Sequence, residues 1–275
     1  MAFYVFSAYS KDVMYNVTYK IEIGENTPKV QFVCMVPKNI RNVQSVLSMN
    51  YLRKPYREYQ QNGNKFAEFI IENEKGLIHI GYTTELEIKT HDLKTVMIGR
   101  NVDIDKPEKY LMSEKYIEKD DPRICSIARS LKNRNTLKTI RNIYHYVNKN
   151  LKYNGFNPVR KGAVNVLDKY MGDCSEFADL FVALCRSCNI PSMSVFGYYL
   201  NFSVTPKHAW AEVYTDLYGW IRFDPTPGGR HSFFSLPNQY IHYSTGKGDE
   251  NNRIYFYRYL YWGDPINVTE EIRFR

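Results

Sequence analysis

Long apolar runs are missing from this 275-residue chain, although 44% of its residues are hydrophobic. No stretch approaches the roughly 20 apolar residues that a membrane-spanning helix needs. Residues 1–10 also lack the basic start and long apolar centre of a secretory signal. Cysteine is sparse and odd in number, five in all, which argues against a disulfide framework and makes a reducing cytoplasm the expected location. The Cys185-Arg186-Ser187-Cys188 stretch has zinc-like or redox-like spacing, but both thiols fall on the apolar face of a helical pattern, so a core role is expected. No internal repeat or long low-complexity segment is present. Lys and Arg outnumber Asp and Glu by 37 to 29, a net charge of +8. These cations are scattered, with short clusters only at 132–134 and 138–141 and no reader motif, so a solvated basic surface is expected and no nucleic-acid partner.

What is present divides into two patterns. In the first, Tyr15, Val17, Tyr19, Ile21 and Ile23 alternate with polar residues, as do Val30, Phe32, Cys34 and Val36. Asn62-Gly63 is a hairpin signal ahead of residues 66–71, and Ile80, Tyr82, Leu86 and Ile88 add a further strand. Before about Thr90 there is no helix period, which predicts an antiparallel β-sandwich. The length suits two domains, with a boundary near 101–106: residues 1–103 as the sandwich and 104–275 as the second domain. Near the C-terminus Tyr255, Tyr257, Tyr259 and Tyr261 alternate with Ile254, Phe256, Arg258 and Leu260, which predicts a strand inside a sheet whose tyrosines serve packing.

In the second pattern helices come first. Asp121-Pro122 is a helix start followed by Ile124, Ile127, Ala128 and Leu131; Leu137, Ile140, Ile143, Tyr144 and Val147 form a second stripe, with His145 beside it as a structural residue. A short third helix is expected over 163–170. Beyond Gly172-Asp173-Cys174, the residues Phe177, Leu180, Phe181, Leu184, Cys185 and Cys188 recur at helical spacing. Cys174 thus falls at a helix N-terminus, where unpaired N–H groups and the macrodipole favour thiolate. Asp173 beside it opposes thiolate unless its side chain points into solvent.

Two alternating runs follow, 208–214 and 220–224, with Asp216 and Gly219 as turn residues between them. With a 215–217 loop, His208 lies directly opposite Asp224; a register shifted by two in the pairing sum leaves them diagonal on the same face. Either arrangement lets the carboxylate orient the imidazole. A thiol, an imidazole and a carboxylate in this setting are the parts of cysteine acyl-transfer chemistry.

The stretch from about Tyr110 to Arg230 resembles the transglutaminase-like superfamily, a papain-related fold shared by animal transglutaminases and bacterial cysteine-protease candidates. The residues that carry the resemblance are Gly172-Asp173-Cys174 with Ser175-Glu176-Phe177-Ala178, Leu184-Cys185-Arg186, Ile190-Pro191, His208-Ala209-Trp210, and Gly219-Trp220 with Phe223-Asp224-Pro225-Thr226. The resemblance implies an α+β fold: a papain-like transglutaminase core, its nucleophile helix packed on an antiparallel sheet, preceded by the β-sandwich. It implies Cys174 as nucleophile, His208 as general base and acid, and Asp224 as the orienting carboxylate. No cofactor or metal is expected.

The expected partner is a protein or peptide substrate, attacked at an amide through a thioester. Water as acceptor makes a peptidase or amidase, the leading reading. An amine acceptor makes a transglutaminase; the animal enzymes depend on calcium, and no EF-hand-type loop is present. A non-catalytic module that keeps the fold is a third reading. For the oxyanion, the backbone N–H of Cys174 needs a second donor, with Tyr153, Asn154 and Tyr170 as candidates.

Overall fold

The computed structural model describes residues 10–94, 107–157, 159–200, 207–229, 231–245 and 256–275. Six strands come first: β1 (Ser10–Ile23), β2 (Lys29–Met35), β3 (Gln44–Tyr51), β4 (Arg57–Gln61), β5 (Asn64–Glu72) and β6 (Gly76–Lys89). Val13, Tyr15, Val17, Tyr19, Ile21 and Ile23 of β1 are all buried, the period-two face that the alternation predicts. Asn62 and Gly63 both take positive φ, 52° and 77°, and close the β4–β5 hairpin. Strand β3 was not expected. Its burial does not alternate cleanly, because a register shift between Val46 and Ser48 breaks the period.

The middle of the chain runs β7 (His91–Asp92), α1 (Pro122–Leu131), α2 (Thr136–Asn150), β8 (Lys152–Tyr153), α3 (Ala163–Lys169), β9 (Met171–Gly172) and α4 (Cys174–Ser187). It continues with β10 (Ser192–Tyr199), β11 (Lys207–Thr215), β12 (Gly219–Phe223), β13 (Ser235–Leu236) and β14 (Tyr240–Thr245), and the chain ends in β15 (Tyr257–Trp262) and β16 (Asn267–Phe274). All four predicted helices form. Asp121 caps α1 by accepting the Arg123 N–H at 2.9 Å, and Asn135 caps α2 by accepting that of Lys138 at 2.9 Å.

The chain forms two compact units, one of Thr90–Tyr240 and one of Tyr9–Lys89 with Ile241–Arg275. In the second, two antiparallel sheets of order β16-β1-β6-β3 and β15-β2-β5-β4 face each other as a sandwich. Tyr19 meets Phe32 between them at 4.8 Å and Tyr51 meets Phe69 at 6.2 Å, ring centre to ring centre.

A division at residue 103 therefore does not describe the units, since residues 241–275 return to the sandwich. Strand β16 pairs with β1 from Tyr15↔Phe274 to Glu22↔Asn267, and β15 pairs with β2 from Cys34↔Tyr257 to Lys29↔Trp262. These partners satisfy two long backbone edges that β1 and β2 would otherwise present to water. The expected boundary at 101–106 lies outside the described residues, as do Ile254 and Tyr255.

The tyrosine-rich strand β15 is a sheet edge rather than an interior strand. Its inward face does pack: Tyr257 and Tyr259 stack on Phe32 at 5.5 and 6.3 Å. Leu260, Tyr261 and Trp262 stay exposed, so aromatic content on both faces did not mean burial of both.

In the unit of Thr90–Tyr240, helix α4 is the centre. Every residue from Cys174 to Arg186 is buried, with helices α1, α2 and α3 on one side and strands β10 and β11 on the other. Phe177, Phe181 and Leu184 share one core with Val213, Ile221 and Phe223. Cys185 and Cys188 lie in that core as free thiols. Antiparallel β12, β11 and β10 form the sheet behind the helix. This is the α+β, papain-like arrangement expected from the resemblance.

Candidate functional site

Cys174 is the first residue of α4, and the chain ahead of it is built to begin a helix there. Asp173 Oδ1 accepts the Ser175 N–H at 2.8 Å and the Ser175 hydroxyl at 2.6 Å, while Glu176 Oε2 accepts the Asp173 N–H at 3.0 Å. That reciprocal pair is a capping box. Asp173 does not point into solvent; it is buried, and its Oδ2 also accepts the Asn157 N–H at 2.9 Å. Donors on both oxygens spread its negative charge, which answers the electrostatic objection differently. Gly172 is needed for close approach: a Cβ there would stand 2.6 Å from the Glu176 Cβ.

The loop before the cap is fastened to the same face of α4. Lys161 N–H donates to Glu176 Oε1 at 2.8 Å, and Arg160 forms a two-pronged ion pair with the buried Asp179 at 2.6 and 2.5 Å. Ser194 of β10 donates to the same carboxylate at 2.8 Å. The guanidinium stacks against Tyr116 at 4.7 Å and Phe196 at 5.0 Å. Residues 173, 176 and 179 share one helix face by their spacing, yet only the fold supplies their partners.

Strands β11 and β12 pair as Thr215↔Gly219, Tyr214↔Trp220, Val213↔Ile221, Glu212↔Arg222 and Ala211↔Phe223. This is the shifted register, in which His208 and Asp224 are diagonal rather than directly opposed. Their side chains still meet, His208 Nε2 lying 2.6 Å from Asp224 Oδ2, both buried. Nδ1 is then the remaining ring nitrogen, and Cys174 is hydrogen-bonded to the same imidazole. The fold thus brings together all three residues singled out in the sequence.

Electrostatics follow from burial and charge. Burial alone would pull the His208 imidazole down, but Asp224 and Cys174 outweigh it and raise it from 6.5 to about 10. Burial would push Asp224 up; the facing His208 and His231, with their hydrogen bonds and that of Tyr240, hold it well below the usual carboxylate range. Tyr153 is raised to about 12 by burial first and then by the charges of Cys174, Asp173 and Asp224. The other oxyanion candidates are engaged: the Asn154 N–H donates to Gly172 O at 3.1 Å, and Tyr170 hydrogen-bonds Tyr146.

Two neighbours of Asp224 carry no sequence signal. The Tyr240 hydroxyl donates to Asp224 Oδ2 at 2.8 Å, and His231 Nδ1 lies 3.6 Å from the same oxygen. No local pattern marks them, since they follow a proline- and glycine-rich turn with no period. His145 is a structural residue on α2, close to Arg141 and the Phe233 ring. Among the described residues no cluster of three or more His, Cys, Asp or Glu could hold a metal ion, and no helix is long and apolar enough to cross a membrane.

Residues 126–225 match the transglutaminase-like superfamily. The crystal structure of a candidate cysteine protease from Cytophaga hutchinsonii is similar over 96% of this chain and 92% of that one, with TM-score 0.66 and 19% identity. The periplasmic domain of TgpA from Pseudomonas aeruginosa is similar over 74% of this chain and 72% of its own, with TM-score 0.42 and 14% identity. The uncharacterized protein YebA of Bacillus subtilis is 26% identical over 178 residues, 55% of this chain, and the chain spans only 23% of that relative's length. Residues 126–225, which hold the capped helix opening on Cys174 together with the paired His208 and Asp224, are thus similar to the transglutaminase-like superfamily.

Proposed function

We propose that the protein is a cysteine-dependent acyl-transfer enzyme that hydrolyses amide bonds of a protein or peptide through a thioester. The observation that carries this reading is the buried His208–Asp224 pair at 2.6 Å, with Cys174 bonded to the same imidazole at a helix N-terminus. A buried carboxylate that stabilises imidazolium also stabilises the thiolate facing it. A scaffold needs no such pair.

Cys174 Sγ, as thiolate, adds to the amide carbonyl, and the oxyanion is held by the Cys174 backbone N–H with Tyr153 beside it. The C–N bond breaks as protonated His208 gives its proton to the leaving amine. Water then attacks the thioester while His208 takes one of its protons, the carboxylic acid departs, and the sulfur returns to its paired state. Asp224 stays ionised and keeps the ring oriented. An amine in place of water would make the same site a transglutaminase.

The test is an activity screen of the protein and its Cys174→Ala variant on a peptide-amide library, with and without a labelled primary amine. Cys174-dependent cleavage in water supports hydrolysis. Amine incorporation would replace it with transamidation, and identical results for both proteins would leave a binding module. Five free cysteines further favour a reducing, cytoplasmic location, which thiol labelling in intact cells would test.

A further inference from the structure

We propose that Tyr240 and His231 are positioning residues that hold the Asp224 carboxylate ionised and turned towards His208. The inference rests on the acyl-transfer reading of Cys174, and extends it to two side chains that touch neither sulfur nor substrate.

Asp224 is fully buried, so every charge-stabilising contact must come from protein. Its Oδ1 accepts the Thr226 N–H at 3.0 Å; its Oδ2 accepts from His208 Nε2 at 2.6 Å and from the Tyr240 hydroxyl at 2.8 Å. These donors come from β11, from the turn after β12 and from the start of β14. Rotating the carboxylate would break all of them at once.

His231 governs the tyrosine. Its Nε2 lies 2.7 Å from the Thr226 carbonyl, which can only accept, so Nε2 carries a proton. Its Nδ1 lies 3.1 Å from the Tyr240 oxygen. Tyr240 has one proton, and the two places it can point are Asp224 and His231 Nδ1. With Nδ1 protonated, the ring donates to the tyrosine oxygen, the tyrosine proton stays on Asp224, and a second positive charge stands beside the carboxylate. With Nδ1 bare, the tyrosine proton can turn to it, and Asp224 loses a donor. Gly229 makes room for this ring, since a Cβ there would lie 2.1 Å from Nδ1. The other titratable or charged groups facing the cluster, among the described residues, are Cys174, Tyr144, Tyr153, Tyr199 and Arg222.

Alkylation of Cys174 by iodoacetamide, resolved by mass spectrometry and followed across pH, reads this network without any substrate. The acid limb of the unaltered protein is the reference for the variants. In Tyr240→Phe and His231→Gln it is expected to move up by about one pH unit, which slows alkylation below the limb about tenfold, with the circular dichroism spectrum unchanged. Folded variants that keep the original limb would overturn the proposal and leave both residues as packing. A Cys174 that iodoacetamide does not label at any pH in the unaltered protein would instead overturn the acyl-transfer reading, and this inference with it. Should Tyr240→Phe fail to fold, His231→Gln and Gly229→Ala carry the same measurement: a raised limb supports the proposal and an unmoved one overturns it.

Discussion

His208 Nε2 lies 2.6 Å from Asp224 Oδ2 although the two residues are diagonal, not opposed, across the β11–β12 pair. An imidazole is long enough to span a diagonal neighbour, so a shift in register left the contact intact. Asp224→Asn should keep the fold while presenting an amide that favours the wrong tautomer. We expect Cys174-dependent turnover to fall about 10²- to 10⁴-fold, measured as kcat/KM on any substrate found in the library screen. A loss below tenfold would mean that the carboxylate is dispensable.

The cap on α4 ties stability to the thiol's position. Asp173→Ala removes the acceptor of the Ser175 and Asn157 N–H groups, and should cost about 1–2 kcal/mol by urea denaturation. Gly172→Ala forces a Cβ to within 2.6 Å of Glu176 and should cost about 1–3 kcal/mol. Both variants should also slow Cys174 alkylation, because the helix end moves with its cap.

The Arg160–Asp179 pair is a buried charge pair with little solvent to replace a lost partner, the side chains being 13% and 0% exposed. Asp179→Ala should therefore cost about 3–5 kcal/mol, most of it from a stranded guanidinium. Replacing both residues with apolar ones of similar volume should recover much of that loss. Denaturant midpoints of the single and double variants, compared as a cycle, separate the two cases.

Stability should peak near neutrality because two histidines titrate in opposite senses. His208 is raised from 6.5 to about 10, so its contribution is full below 6.5 and is lost as pH climbs through 10. His91, which accepts the Arg222 N–H at 3.3 Å, is lowered to about 3 by burial and by Arg222. Below 6.5 the unfolded chain takes a proton that folded His91 refuses, so stability falls as pH drops towards 3. Depressed Asp224 adds to the acid loss below its ordinary 3.8. Urea midpoints across pH should flatten on the alkaline side in His208→Gln and on the acid side in His91→Gln.

Much of this architecture could be read along the chain. Helix α4, its glycine and its cap are local features, settled by backbone propensity and by side chains within three residues of one another. The alternation in β1, β2, β5 and β6, and the hairpin at Asn62-Gly63, are equally local. Cys174, His208 and Asp224 stood out because each sits in a short motif with its own period or turn. Other features depend on partners distant in the chain, and local periodicity carries no record of which backbone edge needs covering or which buried oxygen needs a donor. The return of β15 and β16 to the sandwich answers unpaired edges on β1 and β2, more than 200 residues away in sequence. The β11–β12 register, the burial of Asp173, the Arg160 clamp and the Tyr240–His231 support of Asp224 likewise arise only when packing removes water and each buried polar group must find its complement in the protein.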